Sequence, residues 1–122
     1  MLSWNEYEFI EFFGVLPEHE EKYGFSETFH VEKDGLHLYF SIFPFEEETD
    51  VTLRQDQIET AIFSITIKNI IGFRFLKYPK GPEALEIVYA SKQRSHSNNG
   101  WTENAVLHIE VCPHICITHF VE

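Results

Sequence analysis

The sequence predicts a mainly β fold: a two-layer antiparallel β-sandwich or flattened barrel of seven to eight strands with one short N-terminal helix. Three observations carry this. Apolar and polar residues alternate with a period of two through most of the chain after Gly24. Turn signals such as Asp34-Gly35, Gln55-Asp56-Gln57 and Lys77 to Pro82 separate the alternating runs at the spacing of an antiparallel sandwich. A helix signature occurs once, at the start. With 122 residues and twelve Phe, the chain supports one core, so residues 1–122 are read as a single domain.

The opening segment, Ser3-Trp4-Asn5-Glu6, has the form of a capping box, which predicts a helix from Trp4 to Phe13 ended by Gly14 and Pro17. Trp4, Ile10 and Phe13, with Tyr7 or Phe9, form its apolar stripe and leave Glu6, Glu8 and Glu11 toward water. Next come two alternating runs, Phe25 to Glu32 and Leu36 to Ile42, joined by Asp34-Gly35, a strong hairpin signal. A two-residue turn sets Val31 opposite Leu38 and Phe29 opposite Phe40 on the inner face, with His30 opposite Tyr39 and Glu32 opposite His37 outside. Glu27 would then meet Ile42 on the inner face, so a bulge or the end of pairing is expected there. Val51 to Leu53, Ala61 to Lys68, Ile70 to Leu76 and Ala84 to Ala90 read as further strands. Ser91 to Asn104 reads as a polar loop, and Ala105 to Val111 with Ile115 to Val121 complete the set.

Charge is distributed unevenly. Residues 1–50 hold thirteen acids against two bases, whereas residues 51–122 hold seven of each, so the first part carries the whole net charge of −11. The acids concentrate on the opening helix, at Glu18-His19-Glu20-Glu21 and at Glu46-Glu47-Glu48-Thr49-Asp50. Such a field attracts cationic partners and also keeps a Phe-rich protein dispersed in water. No Lys/Arg cluster capable of neutralising phosphates occurs, which argues against a nucleic-acid partner. No run of eighteen uncharged apolar residues is present, and Glu6, Glu8 and Glu11 interrupt the first apolar stretch. A cytoplasmic chain with no membrane partner is therefore expected.

Motifs for known chemistry are missing: no Gly-rich phosphate loop, Gly-x-Ser-x-Gly elbow, His-Glu-x-x-His or Cys-x-x-Cys is found. The reading is accordingly of no catalytic residue, no cofactor and no metal. Cys112 and Cys116 lie beside His114, with His108 and His119 near, but a tight turn at Pro113-His114 would direct the two sulfurs to opposite faces. Buried, reduced thiols without a disulfide or zinc are expected. His30, Glu32, His37 and Tyr39 share the outer face of the first hairpin, where they could hold a metal or move a proton, or form an ordinary polar surface. The long loop contributes Arg94 and Trp101, residue types that anchor interfaces.

The Trp-bearing opening segment, the stretch Phe12-Phe13-Gly14-Val15-Leu16-Pro17 and the consecutive alternating strands after it resemble small β-rich immunity proteins of bacterial polymorphic-toxin systems. The resemblance implies a cytoplasmic protein that binds and blocks a cognate toxin, and it transfers no site residues. The acidic first half would suit a basic nuclease toxin. The sequence thus points to a non-catalytic protein-binding module for a cationic partner, engaged through Glu18, Glu20, Glu21, Glu46, Glu47, Glu48 and Asp50 together with Arg94 and Trp101. Two alternatives stand beside it: a β-barrel binding a small ligand, and a metal-dependent enzyme. A sheet rich in Phe and Ile with unguarded edges also favours a homodimer.

Overall fold

The computed structural model describes residues 2–21, 24–77, 79, 83–94 and 101–121, with the backbone alone at 91–94, 101–103 and 121. Among the described residues, one helix, α1 (Glu6–Phe13), precedes two antiparallel sheets. The first contains β1 (Glu18–Glu20), β2 (Ser26–Lys33), β3 (Leu36–Phe43), β4 (Glu48–Gln55) and β5 (Phe63–Ile67); the second contains β6 (Ile70–Leu76), β7 (Ala84–Arg94), β8 (Trp101–Glu110) and β9 (Cys116–Val121). In both sheets spatial order equals chain order, so each is a meander. The chain passes from one sheet to the other between Ile67 and Ile70, and the sheets do not close into a barrel. Of the two architectures the sequence allowed, the sandwich is the one formed.

The inner faces meet in one core. Phe29, Phe40, Leu38, Ile42 and Val51 from the first sheet and Leu85, Ile87, Leu107 and Ile109 from the second are fully buried. Helix α1 closes one open side of this sandwich. Its Phe9 ring stacks on Phe29 and Phe40 at centroid distances of 6.0 and 5.9 Å, and meets Phe73 and Phe75 edge-on at 5.1 and 5.0 Å. One side chain therefore touches both layers. Phe13 extends the same cluster, 5.1 Å from Phe29 and 5.2 Å from Phe40. Offset and edge-on pairs at these spacings are the favourable ones for rings with a negative face and a positive edge.

The helix begins later than the sequence indicated. Asn5, not Ser3, is the N-cap, its side-chain oxygen accepting from the Tyr7 N–H at 3.0 Å. This places Trp4 just before the cap and Phe9 four residues into the helix, where they pack edge-on at 5.6 Å as a hydrophobic staple. Its buried face is Phe9, Phe12 and Phe13, rotated from the expected stripe, and Tyr7 is 81% exposed. Gly14, with φ of 73°, ends it as expected, its N–H donating to the Ile10 carbonyl at 2.8 Å.

The first hairpin has the predicted register, including Val31 opposite Leu38, Phe29 opposite Phe40, His30 opposite Tyr39 and Glu32 opposite His37. Asp34 and Gly35 both have positive φ, 53° and 77°, the geometry of a two-residue hairpin turn. Of the two outcomes expected at Glu27, the end of pairing is the one formed: Glu27 opposite Ile42 is the last pair of this ladder, with no bulge, and Glu27 is buried. Its carboxylate meets His19 Nδ1 at 2.8 Å, a partner from β1, which the sequence reading did not recognise as a strand.

Three further expectations need correction. The stretch 91–104 is not a loop throughout, because β7 runs on to Arg94 and β8 starts at Trp101, in register opposite each other. The two cysteines are free but exposed rather than buried. The connection from β8 to β9 is wider than a tight turn: Cys112 lies within it, while Cys116 opens β9 opposite Glu110, on the face away from the buried Ile109. Finally, β4 starts at Glu48 and not at Val51, so Glu48 and Asp50 of the acidic run are partly buried strand residues. Thr49 between them is fully buried between Ile42 and Ile67, and its hydroxyl has no hydrogen-bond partner.

Candidate functional site

Because paired residues of an antiparallel sheet share a face, the register gives the composition of the first sheet's outer surface row by row. Glu18, Thr28, Ser41, Asp50 and Thr66 form one row; His30, Tyr39, Thr52 and Ser64 form the next; Glu32, His37 and Arg54 form the third. Hydrogen bonds run along these rows: Thr28 to Ser41 at 2.7 Å, the Thr66 hydroxyl to Asp50 at 2.8 Å, and Thr52 to Ser64 at 3.4 Å. The face is polar, with ring systems at its middle. His30 stacks on Tyr39, centroids 4.3 Å apart and planes 8° apart, and on His37 at 5.2 Å.

Strand direction decides where the seven candidate acids lie. The end of β1, the start of β2, the end of β3 and the start of β4 all occupy one end of this sheet. Glu20 and Glu21 therefore lie at the same end as Glu46, Glu47 and Glu48, with Glu18 and Asp50 one row further in. A contact confirms the closeness: a Cβ on Gly24 would sit 3.7 Å from the Glu46 carboxylate. Phe45 of the same turn is 65% exposed and meets Phe25 edge-on at 5.9 Å. Glu46 and Glu47 are exposed, whereas Glu48 lies 4.0 Å from Lys68 and Asp50 accepts from Thr66. Glu21 is held by His19 Nε2 at 2.9 Å. His19 sits between Glu21 and Glu27, and these two hydrogen bonds, Glu21 first, raise its pKa above 6.5.

Arg94 and Trp101 belong to the second sheet. The Ile70 N–H donates to the Glu47 carbonyl at 3.2 Å and Ile70 pairs with Tyr89, so the ribbon of β7 and β8 leaves the sandwich at the end that bears the acidic turn. The backbone sets Arg94 and Trp101 opposite each other on that ribbon; their side chains lie outside the described residues, as does the chain from 95 to 100.

The opposite end of the polar face holds a group the sequence only half disclosed. His37 Nε2 hydrogen-bonds the Asp56 carboxylate and lies 3.9 Å from Glu32 Oε1, while His37 Nδ1 is 3.0 Å from His30 Nε2. In sequence Asp56 reads only as a turn residue. The turn brings it beside the hairpin, where its N–H donates to the Gly35 carbonyl at 2.8 Å. On the second sheet's outer face, Glu86 is buried between Arg74 and His108, with Arg74 Nε at 2.6 Å and His108 Nε2 at 2.8 Å. Burial pushes its carboxyl pKa upward, but the hydrogen bonds from His108 and Arg74 outweigh this and leave it lowered.

No family model and no curated protein matches this sequence. Among solved structures, the fold is similar to a chain in a contact-dependent growth inhibition toxin–immunity protein complex from Klebsiella pneumoniae 342, with a TM-score of 0.76, 19% identity, and coverage of 99% of this chain and 96% of that one. The layout that resembles immunity proteins in sequence thus has a full-length counterpart in fold in a complex of that kind, at an identity where the likeness is one of architecture.

Proposed function

We propose that this chain is a non-catalytic, cytoplasmic protein-binding module of the immunity type, which blocks a cationic partner such as a toxin. The observation that carries the reading is the convergence, at one end of a fold shared with a chain of a toxin–immunity protein complex, of Glu18, Glu20, Glu21, Glu46, Glu47, Glu48 and Asp50. A single-sign patch on a rigid sheet attracts an oppositely charged surface and accelerates encounter. Arg94 and Trp101, on the ribbon leaving the same end, are assigned the anchoring role. The apolar, Phe-rich interior, lined by no convergent polar groups among the core residues, favours surface recognition over a ligand held inside the sandwich.

Co-purification from the native host, with identification of the bound protein, supplies the partner. Stopped-flow association at two salt concentrations then tests the mechanism. The on-rate should fall steeply with salt, since the field is screened beyond a Debye length of about 8 Å at physiological ionic strength. Changing Glu46, Glu47 and Glu48 together to Gln should slow association and flatten that dependence, with folding stability unchanged within roughly 0.5 kcal/mol per exposed site. A salt-independent on-rate, indifferent to the triple change, would return the acids to a solubilising role.

A further inference from the structure

We propose that Glu32, His37 and Asp56 form a binding site for a single divalent zinc ion on the outer face of the first sheet. One potential ligand atom from each lies within 4.8 Å of the other two, the single group of this kind among the described residues. Two zinc ligands at bond lengths near 2.0–2.1 Å stand about 3.3 Å apart in a tetrahedron. The separation of 3.9 Å between His37 Nε2 and Glu32 Oε1 needs to close only slightly to meet this, and Asp56 need only swing out from its present hydrogen bond.

The backbone under the site is fixed. Glu32 and His37 are a cross-strand pair one step from the tight turn, and Asp56 is tied to that turn through the Gly35 carbonyl. Charge also balances, since two carboxylates and a neutral imidazole neutralise one divalent cation. Arg54, the neighbour of His37 on β4, is occupied with the Glu59 carbonyl at 3.0 Å. The second nitrogen of His37 has the partner that a metal-bound imidazole requires, namely His30 Nε2, and the His30 ring is held in place by stacking on Tyr39. Other histidines lack this arrangement. His19 directs its two nitrogens to two different carboxylates, and the carboxylate facing His108 is occupied by Arg74.

Metal binding has a distinctive consequence. Without zinc, the tautomer of His37 that donates its Nε2–H to Asp56 leaves Nδ1 to accept from the Nε2–H of His30. With zinc on Nε2, the His37 proton resides on Nδ1 and donates to His30 Nε2, whose own proton shifts to its Nδ1. The hydrogen bond between the two rings thereby reverses.

The test is a titration of the full chain, carrying Cys112→Ser and Cys116→Ser to remove the exposed thiols, with zinc chloride, read by calorimetry and by imidazole nitrogen NMR. One equivalent should bind, with the largest change at His37 Nε2 and a tautomer change at His30. Glu32→Gln and Asp56→Asn, both at exposed positions, should each weaken binding at least tenfold, and His30→Asn should weaken it about 10–100-fold. Binding of well under one equivalent, affinity unchanged in Asp56→Asn, or resonance changes centred on another histidine would each overturn the assignment.

Discussion

Replacing Phe9 by Ala probes the link between helix and sandwich most directly. The ring is 1% exposed and meets six others, Trp4, Phe13, Phe29, Phe40, Phe73 and Phe75, at centroid distances of 5.0–6.4 Å. Truncation removes roughly 100 Å³ from a site walled on both sides by sheets that cannot easily collapse. At about 24 cal/mol per Å³ of residual cavity this alone costs about 2 kcal/mol, to which the lost transfer energy adds about 2 kcal/mol more. A total of about 4 kcal/mol is a large share of the 5–15 kcal/mol typical of a domain. Urea denaturation followed by Trp fluorescence and circular dichroism should show a lower midpoint with an unchanged slope. A loss below about 1.5 kcal/mol would mean that α1 lies on the sandwich as an accessory and that Phe9 does not couple the two layers. Phe9→Leu, which refills part of the volume, should recover more than half of the loss.

Three other outcomes are expected. Gly35→Val forces a β-branched residue to φ of 77° and should cost about 1–3 kcal/mol by chemical denaturation. Thr49→Val replaces a buried hydroxyl that has no partner with a methyl of similar size, and should raise the urea midpoint, corresponding to about 1 kcal/mol of added stability. His19 has its pKa raised in the folded state, so its support of β1 is fully present below the unfolded value of about 6.5 and fades as pH rises through the higher folded value. An NMR titration should place its midpoint above 6.5, with β1 amide signals shifting in step; a midpoint at or below 6.5 would remove His19 as the clip on that strand.

The first hairpin could be read residue by residue because Asp-Gly fixes the loop length, and loop length fixes the register of every residue that follows. β1 escaped notice because Glu18-His19-Glu20 is short, exposed and wholly polar, and it forms only because β2 offers an open edge. Missing it made buried Glu27 look like an error in the pairing, when its partner was His19 on that very strand. The polar stretch after Ala90 reads as a loop in sequence for a related reason. The backbone pairing of β7 and β8 continues through this polar stretch, with Lys92, Gln93 and Arg94 opposite Glu103, Thr102 and Trp101, and no apolar alternation in the sequence marks it. The acids were visible in the sequence, but their gathering at one sheet end depends on strand direction, and the reach of Asp56 to His37 depends on the path of the β4 turn.

The meander order of both sheets bears on how the chain attains its structure. Every strand pairs with its neighbour in sequence, so each pairing closes a short loop at small entropic cost, and residues 18–67 and 70–121 can each organise as a self-contained unit. The distant event is the docking of these two units, for which the short link at Lys68-Asn69 supplies the hinge. Their apolar faces stay exposed to water until it happens. Helix α1, made first and seated between both layers, is then the part that seals them, and docking rather than strand pairing is expected to set the folding rate.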